Sequence, residues 1–386
     1  MSQQLIAYIQ SLPDTSFQAV KTHLTEKGFR IHDEGSLYMV CQGTAIEDYA
    51  IHAVGTILNK ESHGLVCYGF PKTHDLEVSD EVPFKGKIVT SEYIDGSLIR
   101  AFYDGDMWRL STNNVINAYN SYWLSEKSFG QLFDNCLGDS SKFSTSFLAD
   151  SLDKDCNYQF IVCHPQVHLD GITSPTIYQV GTYCVKTHSY VSRPVFSGIS
   201  KPLSITVERS QVESMTCDKL LSPFSKGYIM YSEEDQMTQT PRFKVLNSQY
   251  AARRKLLGNT PNMYLRYLEC LADGKATEFK ASFPNLTSYA DTVECCLDRI
   301  TKDVFDIYVH KFMKKNKTVF INFYLRPFVY ELHGNFMKTQ KKVTQDIVKE
   351  TFMKYHPKRI NFILNGLGMI TTGDVVLPKI EEKVVA

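Results

Sequence analysis

The run Ser91-Glu92-Tyr93-Ile94-Asp95-Gly96-Ser97 sets a phenol and a carboxylate two residues apart beside a turn. A phenol ordinarily titrates near pH ~10, so without an adjacent base or metal it is a poor nucleophile. Its ring can still stack on a nucleic-acid base. Lys226, Arg242 and Lys244 offer a second kind of chemistry. Cationic side chains hold a polyphosphate or an RNA backbone without any metal, because phosphate contact is driven by charge rather than sequence. Zinc-ligand types also occur, at Cys163, His164, His168, Cys184 and His188. They lack paired Cys-x-x-Cys or finger-like His spacing, so no metal site is expected.

These residues need a rigid frame, and the sequence has strand-type runs to supply one. Tyr38 to Cys41 and Gly64 to Tyr68 are short β-type runs, and Lys87 to Ser111 reads as a three-stranded meander. Asp95-Gly96 and Asp104-Gly105-Asp106 mark its turns, since Gly and Asp tolerate positive φ. On this reading Tyr93 and Asp95 lie on a hairpin at a strand end, where a side chain projects into a cleft from a stiff sheet. The first thirty residues carry helical stripes, Ile6, Ile9 and Leu12 and then Phe17, Val20 and Leu24. Beyond Gly258-Asn259-Thr260-Pro261 the period becomes helical, as in Val304, Ile307, Tyr308, Lys311 and Phe312, and in Val343, Ile347, Val348 and Phe352 before Pro357.

Composition sets the outer limits. A chain of 386 residues with 43% hydrophobic content can bury one large core or two moderate ones. Its 42 basic residues balance 42 acidic ones, so any pull on nucleic acid comes from local patches. Three basic clusters qualify: Arg253-Arg254-Lys255, Lys314-Lys315-Asn316-Lys317, and Lys338 to Lys342. The last two are interleaved with Phe312, Phe320 and Phe336. Ten cysteines without framework spacing suit reduced thiols. The N-terminus lacks a signal-peptide pattern and no stretch approaches about eighteen apolar residues, so a soluble intracellular protein without a membrane partner is expected.

Seven segments fall in a recognisable order. They are Ala53 to Leu58, Leu65 to Lys72, Tyr93-Ile94-Asp95-Gly96-Ser97-Leu98-Ile99, Leu110 to Asn114, Phe160-Ile161-Val162-Cys163-His164-Pro165, Lys226-Gly227-Tyr228-Ile229-Met230 and Arg242-Phe243-Lys244. In this order they resemble the motifs of the phage-type RNA ligases, within the covalent nucleotidyltransferases, over about residues 35 to 255. That resemblance implies an α+β fold: an RNA-ligase-like nucleotidyltransferase domain over 1–257 with antiparallel sheets around a nucleotide cleft. An all-helical C-terminal domain over 258–374 and a mobile tail over 375–386 would follow.

The departures from the family pattern concern its chemistry. Tyr93 stands where the family has the lysine that attacks the α-phosphate of ATP, and Val54 where it has an arginine. Ile161 and Lys226 replace glutamates that touch ribose or help organise Mg²⁺. The resemblance therefore implies a degenerate enzyme with no catalytic residue and no cofactor. Nucleotide or RNA would lie on Tyr93, Asp95, Lys226, Arg242 and Lys244, with an RNA-contact patch at Arg253, Arg254, Lys314 and Lys315. Lys226 could instead neutralise a phosphate or pair with Asp95. Because the family is frequent in phages and large DNA viruses, a viral source and a scaffolding place among the protein partners of a viral assembly, in cytoplasm or virion, are also implied. The alternative is an active RNA ligase that uses ATP and Mg²⁺ and forms lysyl-AMP on Lys226.

Overall fold

The computed structural model describes residues 2–76, 84, 86–123, 125–138, 143, 147–167, 174–193, 196, 199–208, 226–239, 241–260 and 262–370. The expected tail over 375–386 lies outside them. The chain divides into two compact units, Met1–Ala252 and Arg253–Ala386.

In the first unit the strands run in chain order as β1 Arg30–Glu34, β2 Leu37–Cys41, β3 Val54–Asn59, β4 Leu65–Cys67, β5 Thr73–Asp75, β6 Lys87–Tyr93 and β7 Ser97–Tyr103. They continue as β8 Trp108–Ser111, β9 Cys156–Cys163, β10 Thr176–Cys184, β11 Ser189–Tyr190, β12 Ser204–Glu208, β13 Gly227–Ser232 and β14 Arg242–Leu246. Three sheets result, ordered β1-β2-β3-β4, β11-β10-β9-β7-β8 and β12-β6-β13-β14-β5. All their named pairings are antiparallel except β14 with β5. The α+β class with antiparallel sheets is the one expected.

Strand β2 shows how the layers form. All five of its residues are buried rather than every second one. Tyr38 and Val40 face the N-terminal helices Ser2–Gln10 and Phe17–Glu26, packing with Leu5, Ile9, Val20 and Leu24. Leu37, Met39 and Cys41 face the other way, onto Ile57, Cys67, Phe102 and Ile116. A strand covered on both faces loses the alternation that a half-exposed strand keeps. A further core lies on the second sheet, where Ile99, Ala101, Phe160 and Val162 meet Leu132 and Phe133.

The expected meander is corrected in one respect. β7 and β8 do pair as a hairpin, and its turn residue Gly105 has φ +111. β6 does not pair with β7. It lies between β12 and β13, while β7 lies between β9 and β8. The Asp95-Gly96 step is thus a crossover between two sheets, and the cause is long-range pairing: Tyr93 with Gly227, and Leu98 with Ile161. Gly96 is needed for close approach and not for positive φ. A Cβ there would sit 2.2 Å from Ile161 Cγ2 and 2.8 Å from the Val162 carbonyl oxygen. Gly96→Ala should cost roughly 1–3 kcal/mol through this overpacking. Denaturant unfolding of the variant, alone and combined with Ile161→Ala, checks this, since trimming Ile161 should return part of the loss.

The described part of the second unit is helical. Its helices include Met263–Ala272, Thr287–Tyr308, Arg326–Thr339, Gln345–Met353 and Pro357–Gly366. Asn262 and Thr344 cap two of them by accepting from the backbone N–H groups of Leu265 and Ile347. Tyr267, Val293, Ile300, Val304, Phe328, Phe352 and Leu364 are buried at helical spacing. Among the described residues no helix is long and apolar enough to cross a membrane.

Candidate functional site

Six of the positions singled out in the sequence line one cleft of about 660 Å³ in the first unit: Val54, Tyr93, Ile161, Lys226, Arg242 and Lys244. Strand register brings them together. Tyr93, the last residue of β6, pairs with Gly227, and the Lys226 N–H donates to the Tyr93 carbonyl at 3.2 Å. Lys226 Nζ then lies 5.0 Å from the Tyr93 ring centre, within cation–π reach. It also pairs with Asp95 Oδ1 at 2.8 Å, with both side chains mostly shielded. Across the sheet Lys244 pairs with Asp75 Oδ1 at 3.1 Å. Asp75 is 72% exposed, so that contact holds the lysine only weakly.

Arg242 differs from the two lysines. It is 9% exposed, its guanidinium lies 3.7 Å over the Phe70 ring, and Nη1 donates to Gln239 Oε1 at 3.1 Å. Its Nε has no partner, and no carboxylate among the described residues pairs with it. Burial draws the guanidinium below its ordinary pKa, opposed by the phenols of Tyr190, Tyr231 and Tyr93. Arg30 and Lys72 also line the cleft, against one carboxylate among the described lining residues, Glu92. A second pocket of about 400 Å³ shares Ser91, Val180 and Pro202 with the cleft and has Arg193, Lys201 and Gln179 on its wall.

Arg100 escaped the sequence reading altogether. It is fully buried on β7, and its guanidinium donates to the carbonyls of Gly55 at 2.6 Å and of Thr112. These are the backbone segments that carry Val54 and Asn113 to the cleft wall. Gly55 must be glycine there: its φ is +71, and a Cβ would lie 2.5 Å from the Asn113 carbonyl oxygen. The available signal was a cation between Leu98 and Phe102 on one strand face. Phe70, the platform under Arg242, was part of a quoted segment without a role.

The other singled-out residues are placed elsewhere. In the second unit, Arg253 donates to the Ser282 carbonyl and lies 5.6 Å over the Phe283 ring, so part of its role is packing. Arg254, Lys314 and Lys315 are exposed, and Lys314 Nζ lies 3.4 Å from His310 Nε2. His164 bonds Asn135 and belongs to the fold's polar interior. His168 lies outside the described residues, among which no group of three His, Cys, Asp or Glu side chains converges as a metal site.

Fold and site define an α+β protein whose antiparallel sheets enclose a cationic cleft, joined to a helical unit. No family model matches the chain. Its sequence is similar to an immediate-early protein ICP-46 homolog of Invertebrate iridescent virus 3, 25% identical over 58% of this chain and 48% of that protein. A homolog from Invertebrate iridescent virus 6 is 22% identical over 80% of this chain and 77% of its own length. Immediate-early protein ICP-46 of Frog virus 3 is 27% identical over 36% and 40%. The first match thus spans about half the length of its relative. Among solved structures the chain is similar to an archaeal ATP-dependent RNA ligase, form 1, with TM-score 0.43 and 13% identity over 73% of this chain and 79% of that one. Form 2 gives TM-score 0.41 and 13% identity over 71% and 74%.

Proposed function

We propose that this protein binds a nucleotide or an RNA strand through its phosphates in the β6–β13–β14 cleft and does not form a covalent nucleotidyl intermediate. One observation carries the reading: Arg242 is buried at the cleft with an unpartnered Nε and, among the described residues, without a carboxylate partner. A buried cation with no counter-ion is costly, and an anionic ligand supplies the missing charge. Lys244 lines the cleft from the same strand, β14, Lys226 lines it from the residue that precedes neighbouring β13, and Tyr93 offers a face for a base. The donor set suits phosphate better than a metal-bound triphosphate, because Glu92 is the one carboxylate on the described lining and Asp95 is engaged by Lys226. If Mg²⁺ entered with ATP, Glu92 and Asp95 are the residues that could hold it, and the ion would supply charge neutralisation at the phosphates.

Incubation with α-labelled ATP and GTP plus Mg²⁺ or Mn²⁺, followed by a denaturing gel, tests the chemical half of this reading. The expected result is no protein-bound label for wild type or Lys226→Ala, alongside saturable equilibrium binding that weakens as salt rises. A label on wild type that Lys226→Ala abolishes would establish the displaced-lysine ligase instead. Loss of both signals would transfer the reading to a scaffold that binds protein partners.

A further inference from the structure

Cys156 and Cys184 face each other across β9 and β10. They are register partners at the end of an antiparallel ladder, Cys156 opening β9 and Cys184 closing β10. The Val185 N–H donates to the Asp155 carbonyl at 2.9 Å, one step outside the pair. That bond flanks the two cysteines instead of joining them, which makes them a non-hydrogen-bonded pair. Cα atoms in such pairs lie about 4.5 Å apart with side chains on one face, inside the range of roughly 4.4–6.8 Å that a disulfide spans. Both side chains pack on the same apolar core, and both thiols are free.

Their surroundings are unequal. Cys156 is buried, and burial pushes its thiol up to about 11 despite a hydrogen bond from Arg193. Cys184 is half-buried. Burial pushes its thiol up, yet hydrogen bonds from Thr187, Lys186 and Cys156 outweigh it and hold the thiol below its ordinary value. One sulfur is thus suited to attack and the other to resolve.

We propose that Cys156 and Cys184 are a thiol modification site that low-molecular-weight disulfides close into a reversible intramolecular disulfide. With oxidised glutathione, the Cys184 thiolate attacks one glutathione sulfur, forming a mixed disulfide and expelling one glutathione thiolate. Cys156 then loses its proton to solvent and attacks the Cys184 sulfur, forming the cross-strand bond and expelling the second glutathione. Two protein thiols are oxidised and one glutathione disulfide is reduced to two thiols. The other described pairs fit less well. Cys295 and Cys296 are adjacent in a helix, and the Cys163 thiol is spent on the Asp95 carbonyl at 3.0 Å.

The full chain is treated with oxidised glutathione, alkylated with iodoacetamide and mapped by peptide mass spectrometry. A peptide linking Cys156 to Cys184, removed by dithiothreitol, is expected. Cys184→Ser should abolish the link, and Cys156→Ser should leave glutathione trapped on Cys184. Exposed Cys295 reports that the oxidant acted. The proposal is overturned if Cys295 carries glutathione while Cys184 stays fully alkylated, or if the linked peptides join other cysteines. Wild type alone decides these outcomes should the buried-site variant Cys156→Ser fold poorly.

Discussion

Arg100→Met lowers the stability of the first unit by about 3–5 kcal/mol, the range seen when one partner of a buried charged network is removed. The replacement fills the stem's volume but donates nothing to the carbonyls of Gly55 and Thr112, which accept from the guanidinium. Each abandoned acceptor costs about 1–3 kcal/mol when water cannot reach it. A buried charge disappears with the mutation, which offsets part of that loss. Arg100→Lys should recover little, because a single ammonium lacks the guanidinium's planar fork toward the carbonyls of Gly55 on β3 and of Thr112 just after β8. Tryptophan fluorescence during denaturant unfolding isolates the effect, since the two tryptophans, Trp108 and Trp123, both belong to the first unit. A change below about 0.5 kcal/mol, the size of an ordinary surface substitution, would show that Arg100 does not hold the cleft walls together.

The frame around the cleft was partly legible because local patterns fix local structure. Tyr38 to Cys41 and the hairpin at Gly105 follow from β-type runs and a turn glycine. The helices after Gly258 follow from their period. The strand order was not legible, because the Asp95-Gly96 signal says only that the chain turns there. Whether β6 then pairs with β7 or with β13 depends on partners more than a hundred residues away. Of the five residues expected from motif order to meet a nucleotide, Tyr93, Lys226, Arg242 and Lys244 line one cleft and Asp95 is absent from its lining, and register explains why the four converge. Arg100 and Phe70 stayed hidden for a related reason: a buried cation without a carboxylate, and the ring beneath another, are visible only once carbonyls and neighbouring strands have positions.

Arg242→Leu should move affinity and stability in opposite directions. Binding of ATP or a short RNA falls by about 10–100-fold at low salt, the equivalent of roughly 1.4–2.8 kcal/mol for losing a desolvated charge-assisted contact. The free protein, by contrast, should be as stable as wild type or more so. Leucine still packs on Phe70, and the substitution removes a buried cation whose Nε has no partner. Lys244→Ala provides the graded comparison: its ion pair with an exposed Asp75 adds little to stability, so its smaller loss of affinity reports phosphate contact alone. Binding titrations over a salt series separate the contributions further. Each cation that touches the backbone of a single strand should reduce the slope of log affinity against log salt by about 0.7 when removed. A structural arginine would give the reverse pattern, with stability lost and the affinity of the remaining folded protein unchanged. That outcome would remove the basis for placing a ligand in this cleft, because the cost of burying Arg242 would then be met by the fold itself.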